Sequence, residues 1–234
     1  MSIEFQSAGH QVPGAGGRLS AHVYETIKTR LLEGEYPAGS KLSVEDIRAE
    51  IGVSKQPVME ALRLLSSDGL VEIFPQIGCV VASYSQPEVA DFFRMFSAFE
   101  GAIAGVSAGR STLRTLEELD SISLKIVQLA DNPDAAARAR HYRLLNRRFH
   151  ETIHEMGSSR IIANAGRRMW DLSDFLVSTA GPPQPMAGVI RERQEDHDRI
   201  REALARGDAA TARKEMEEHV LSCIWLLEVE EATA

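Results

Sequence analysis

"LSVEDIRAEIGVSKQPVMEALRLLSSDG", residues 42–69, carries two helix starts, a glycine turn and a helix stop in one short stretch. Ser43, with Asp46 three residues on, has the spacing of a capping box and opens a short helix that runs to Ile51. Gly52 supplies the tight turn, and Ser54 caps the next helix. Pro57 is tolerated there because it falls in the first turn, where a missing N–H has no partner to lose. Gly69 closes that helix. Two helices joined by a tight glycine turn make a helix-turn-helix.

Working outward, Leu19, Val23, Ile27 and Leu31 recur at helical spacing before Gly34, and "YPAGSKL" (36–42) is a turn around Pro37 and Gly39. On the other side, "LVEIF" and "CVVAS" are β-type runs joined by "PQIG", a hairpin. Three helices and a hairpin form a winged helix-turn-helix over residues 18–82. It follows a glycine-rich tail, residues 1–17, and precedes a linker, residues 83–86. Beyond the linker the strand signal disappears. Helical segments are expected near 87–108, 112–131, 133–156, 159–178, 186–206 and 208–230, punctuated by Pro133, Gly157, "GPPQP" and "RGD". The expected fold is mainly α: a winged helix with a small β-hairpin, then an all-α bundle over residues 87–231, built to enclose something or to pair with a copy of itself.

The 234 residues suffice for these two units, and 44% hydrophobic with 26% charged content is ordinary for a globular chain. No apolar run reaches membrane-spanning length and no signal peptide opens the chain, so a cytoplasmic protein without a membrane partner is expected. Cys79 and Cys223 lack metal or redox spacing and read as free thiols. The net charge of −8 gives no global signature of nucleic-acid binding, so that function must rest on a local surface.

Residues 24–82 resemble the DNA-binding half of a GntR-family transcription regulator. The resemblance is carried by L-x-x-G-x-x-x-x-G from Leu31, "IGVS", P-V-x-E-A-L-x-x-L from Pro57, and "DGLVE" leading into a P-x-x-G wing. The helical remainder resembles the effector-binding FCD domain of the fatty-acid-regulator subfamily. The resemblance implies a homodimer that reads a double-stranded operator, and a small-molecule effector, an organic acid, bound at a metal ion. It implies a repressor released by its metabolite.

In such a fold the start of the recognition helix enters the major groove, which points to Ser54, Lys55, Gln56, Met59 and Arg63, with Gly78 in the wing. Lys55 suits a phosphate or guanine, and Gln56 an adenine edge. The family usually has arginine at positions 55 and 59 and basic residues at 76 and 77. Here residues 18–82 hold seven basic against nine acidic side chains, so a shallow salt dependence is expected.

The third region of interest is "FHETIHEMGSSR", residues 149–160, which contains H-E-x-x-H, a zinc-protease signature. On a helix, Tyr142, Leu145, Phe149, Ile153 and Met156 make an apolar stripe. Asn146 lies about 50°, His150 about 90° and His154 about 130° from its centre. The pair at the edge of the core is then Asn146 and His150, while His154 and Glu151 turn toward solvent. His197 falls in the apolar seam Met186, Ile190, Ile200, Leu204, and His219 among Met216, Val220, Cys223 and Leu226. Three inward imidazoles on separate helices suit a metal in a bundle core, with zinc, nickel or manganese favoured over calcium. The FCD resemblance implies the same set, with Asn146 in place of an aspartate and His150, His197 and His219 as ligands. It also implies an effector-binding arginine four residues before Glu100. That position is Phe96, with Arg94 the nearest arginine, so Arg94, Phe96 and Arg143 are the effector candidates. The run "DFFRMFSAF" could line the cavity, and Trp170 and Trp225 read as core. The competing classes are a metal-dependent hydrolase using His150, Glu151 and His154, and a helical scaffold without DNA binding. The hydrolase lacks the third metzincin histidine, since Arg160 stands at its position.

Overall fold

The computed structural model describes residues 15–157 and 159–228. Residues 1–14 of the expected tail lie outside them, and the first helix already begins at Ala15. The winged helix comprises α1 (Ala15–Leu32), β1 (Lys41–Leu42), α2 (Val44–Ile51), α3 (Lys55–Ser67), β2 (Val71–Phe74) and β3 (Gly78–Val81). The Ser43 side chain accepts from the Asp46 N–H at 3.2 Å. Gly52 holds φ +73°, a left-handed conformation that costs glycine little and lets the chain reverse between α2 and α3. Ser54 occupies the cap position of α3 but makes no side-chain cap bond, contrary to expectation. Its exposed hydroxyl is left for another acceptor or donor.

The hairpin registers Val71 with Val81 and Phe74 with Gly78. A third strand, β1, pairs antiparallel with β3 through Leu42 and Cys79, in the order β1-β3-β2. It lies where the sequence reads as a turn, because two residues are too few to show alternation. Val23, Ile27 and Leu31 of α1 meet Val58, Leu62 and Leu65 of α3 in one buried core.

Helices α4 (Gln86–Ala108), α5 (Leu113–Leu129), α6 (Ala135–Gly157), α7 (Arg160–Thr179), α8 (Ile190–Ala205) and α9 (Ala209–Glu228) form the bundle. Residues 185–188, at the expected start of α8, instead make a 3-10 turn after Gln184, whose φ is +57°. The tightest pairing is α4 with α9. Gly101 leaves room for Glu217, whose Cγ would lie 2.4 Å from an added Cβ. Trp225 departs from expectation, being 72% exposed, whereas Trp170 is buried. No described helix is long and apolar enough to cross a membrane.

The two halves are joined by polar contacts. Lys28 pairs with Asp171 at 3.5 Å, Arg168 with Asp68 at 3.0 Å and Arg143 with Glu33 at 3.3 Å. The Ser178 hydroxyl donates to the Leu31 carbonyl at 3.2 Å.

Candidate metal and effector centre

His150 on α6, His197 on α8 and His219 on α9 are all buried, and one nitrogen from each lies within 4.8 Å of the others. Their rings are 4.6 to 5.8 Å apart by centroid. Each sits on the inward face of its helix for the reason its neighbours do: Phe149 and Ile153, Ile200 and Leu204, and Met216 and Val220 are core residues. His197 stacks on Phe149 with centroids 4.0 Å apart.

Hydrogen bonding fixes two of the tautomers, since carboxylates cannot donate. His150 Nδ1–H donates to Glu100 Oε2 at 3.0 Å, which leaves its Nε2 as a lone pair. That Nε2 has no partner, and neither ring nitrogen of His197 has one. His219 Nδ1–H donates to Asp196 Oδ2 at 3.1 Å, so its Nε2 is also a lone pair. A carboxylate behind the imidazole, as His150 and His219 have, is the arrangement that orients histidines toward a metal. Burial lowers the pKa of His150, and does so more strongly for His197 and His219, where Arg193 and neighbouring imidazoles add to it. All three are neutral bases at neutral pH.

Glu100 was visible in the sequence only as a counting mark, yet it organises the site. Its carboxylate is buried and accepts from His150, from His154 Nε2 at 2.8 Å and from Trp170 Nε1 at 3.1 Å. Burial alone would raise its pKa, but the two histidine bonds outweigh this and hold it below the usual carboxylate range. The H-E-x-x-H histidines therefore do converge, on the Glu100 carboxylate, through His150 Nδ1 and His154 Nε2. This corrects the expected outward direction of His154, which is buried. Gly166 of α7 explains it: an added Cβ there would stand 2.8 Å from His154 Cε1, so the glycine makes a slot for the ring. Glu151 is half exposed and lies 3.8 Å from Arg148, away from the three-histidine cluster.

A cavity of about 460 Å³ opens onto this cluster. His150, His219, Asn146, Tyr142, Arg143, Phe96, Trp170 and Arg193 line it from the bundle, and Leu32, Glu33, Pro37 and Ala38 from the winged-helix half. The Asn146 amide oxygen accepts from the Tyr142 hydroxyl at 3.2 Å. Phe96 is buried against Trp170, edge to face at 5.1 Å. Arg143 is paired with Glu33 and, at 3.6 Å, with Asp174. Arg94 is not part of the cavity; it is exposed and ion-paired with Asp91 at 2.8 Å. Of the aromatic run, Phe93 and Phe96 reach the cavity while Met95 faces solvent.

Arg193 was missed. Its guanidinium is buried and donates to His219 Nε2 at 2.9 Å, to the His219 carbonyl at 2.8 Å and to the Ser222 hydroxyl. The signal existed: Arg193 continues the Ile190, His197, Ile200, Leu204 seam one turn before His197. On the winged helix, Ser54, Lys55, Gln56, Arg63 and Gly78 are exposed and Met59 is half-buried.

Residues 19–81 match the family model of bacterial regulatory proteins of the gntR family, and residues 91–222 match the FCD domain. The chain is 26% identical to a "Probable D-xylose utilization operon transcriptional repressor" of Paenarthrobacter nicotinovorans, over 86% of this chain and 85% of that one. It is 29% identical to an uncharacterised HTH-type transcriptional regulator of Agrobacterium vitis, covering 62% of this chain and 84% of the relative. It is 23% identical to the gluconate operon transcriptional repressor of Bacillus licheniformis, over 74% and 68% respectively. Among solved structures, E. coli McbR/YncC superposes with a TM-score of 0.73 at 19% identity, covering 91% of this chain and 98% of that one. These sequence matches, with the winged helix and the six-helix bundle, make the chain a transcription regulator of the gntR family with an FCD domain.

Proposed function

We propose that the chain is a metabolite-responsive repressor that binds a pseudo-palindromic operator as a homodimer and senses a small anionic effector in the cavity beside its three histidines. The observation that carries this reading is the buried cluster of His150, His197 and His219, one ring nitrogen of each within 4.8 Å of the others, with carboxylates behind two of the rings. The donor set fits a divalent transition ion such as zinc, nickel or manganese, held by these histidines with Asn146 lining the same space. Such an ion would supply positive charge that draws an anion to its open positions. The imidazoles bring no negative charge of their own, and Glu100 and Asp196 reach the ion only through them, so an acidic effector at its open positions is favoured.

Effector and DNA are linked by the shared wall. Because Glu33, Pro37 and Ala38 face the same cavity as His150, a ligand there touches both halves of the chain. Arg143 would lend its guanidinium to the effector at the expense of Glu33, and Phe96 and Trp170 supply the apolar side. A change in how α1 rests on α6 and α7 alters the spacing of two recognition helices in a dimer, and with it operator affinity. On those helices Ser54, Lys55, Gln56, Met59 and Arg63 meet the major groove, with Gly78 in the wing.

The test is metal analysis of the purified chain beside His150→Ala, His197→Ala and His219→Ala. One site predicts that each change abolishes stoichiometric metal. Partial and independent losses would contradict it. Retardation of the chain's own promoter fragment, relieved by effector, tests the repressor role.

A further inference from the structure

The environment of Arg193 is unusual for a buried cation. Among the described residues no carboxylate lies within ion-pair reach of it, although it lines the effector cavity and is only 4% exposed. Its partners are two neutral oxygens, the Tyr142 hydroxyl at a long 3.4 Å and a histidine lone pair. Asp196 attracts it from beyond ion-pair distance, but its carboxylate already holds His219 and Arg199. A guanidinium stays protonated in proteins, and an unpaired buried charge is costly. The guanidinium therefore has no carboxylate in direct contact, because Glu100 is held by His150, His154 and Trp170, and Asp196 by His219 and Arg199.

The position of that charge adds a second constraint. With its Nδ1–H given to Asp196, His219 has only its Nε2 lone pair to offer a metal, and one Arg193 N–H already occupies it. We infer that Arg193 gates the centre: it holds His219 until metal enters and then swings to an anion, so that metal and anion each tighten the other's binding. The inference rests on reading the three histidines as metal ligands, and adds a condition to it.

The exchange follows from charge. Freeing His219 for a divalent ion strips a hydrogen bond from Arg193 and sets its charge against the ion in a poorly screened interior. A small carboxylate opposes both effects, because the guanidinium fork can donate to it in bidentate fashion and its negative charge offsets part of the repulsion. The other amino group can stay on the His219 carbonyl and Ser222 during the turn, so the movement is confined to one end of the fork. Linkage then requires reciprocity: whatever factor the anion adds to metal affinity, the metal adds to anion affinity.

The experiment titrates zinc into the metal-free full chain by calorimetry, in chloride and in acetate at equal ionic strength. Acetate is expected to tighten zinc binding about tenfold, a typical coupling. Its own weak hold on zinc works against that direction, so the rise cannot come from the buffer. Arg193→Gln is expected to bind zinc in chloride as tightly as the unaltered chain does in acetate, with the acetate effect reduced to less than about twofold. An unaltered chain indifferent to acetate, or a glutamine variant that keeps the dependence, overturns the gate. Should the unaltered chain take up no zinc in either salt, its native metal centre is refuted. The gate then stands only if Arg193→Gln gains uptake, and falls if it does not. A measurement without substitution guards against misfolding of the variant. In the unaltered chain the nitrogen resonance of His219 Nε2 should show loss of the Arg193 hydrogen bond as zinc binds, at about tenfold lower zinc when acetate is present. Survival of that bond in the zinc-loaded protein would refute the exchange.

Discussion

Arg143 on α6 reaches across to Glu33, just past the end of α1, 3.3 Å away, while its other amino group faces Asp174 of α7 at 3.6 Å. One guanidinium thus bridges the reading half and the sensing half at the edge of the effector cavity. Both partners are only partly exposed, 16% and 24% by side chain, so the pair should contribute about 1 kcal/mol or less. A double-mutant cycle of Glu33→Gln and Arg143→Gln, read by urea unfolding, is expected to show that coupling. Strict additivity would remove Arg143 as a link between the halves.

The slot at Gly166 gives a sharper prediction. Gly166→Ala puts a methyl 2.8 Å from His154 Cε1 and 2.9 Å from its Nδ1, and should cost about 1–3 kcal/mol through overpacking. Adding His154→Ala should recover part of that loss, because the ring that clashes is gone. No recovery would mean that the glycine serves α7 itself rather than the histidine.

Acid should destabilise the metal-free protein in a defined window. His150, His197 and His219 have folded-state pKa values below 6.5, so the unfolded chain takes up their protons first as pH falls. Their contribution is complete above that value and is lost as pH drops toward the folded values, by up to about 1.4 kcal/mol per pH unit for each group. Glu100, held low by its histidine bonds, adds to the loss at still lower pH. Melting temperatures in chelator should fall from about pH 7.5 to about pH 5.5, and His197→Phe should flatten the trend. A profile unchanged by His197→Phe would contradict the neutral, buried state of that ring.

On DNA, Lys55→Ala should reduce the salt dependence of operator binding by about one counter-ion, nearly independently of sequence. Gln56→Ala should instead cost about 1–3 kcal/mol at one base pair and leave the salt slope unchanged. Both are read from salt titrations of operator and single-substitution variants. A steep slope in the unaltered protein would conflict with the seven-to-nine charge balance of residues 18–82.

The winged helix was legible because its signals are local: caps, a glycine turn and a hairpin lie within a few residues of each other. His197 and His219 were legible because each interrupts an apolar seam with a polar ring that the core must then satisfy. His154 was not, because its direction is set by a glycine on α7 and a carboxylate on α4, far away in sequence. Arg193 lay in plain view on the buried face of α8. It escaped because a charged residue is ordinarily assigned to solvent unless something shows what receives its charge. β1 is set by its pairing to β3 and has no signal of its own.

The chain's two tryptophans sit in opposite surroundings: Trp225 is 72% exposed, and Trp170 lies over His150 with ring centroids 4.5 Å apart. The molecule therefore carries an unlabelled optical reporter beside its centre and a reference in water. Replacing Trp225 with phenylalanine should isolate the blue-shifted emission of Trp170. Quenching of that light by nickel would then report arrival at the histidines in real time.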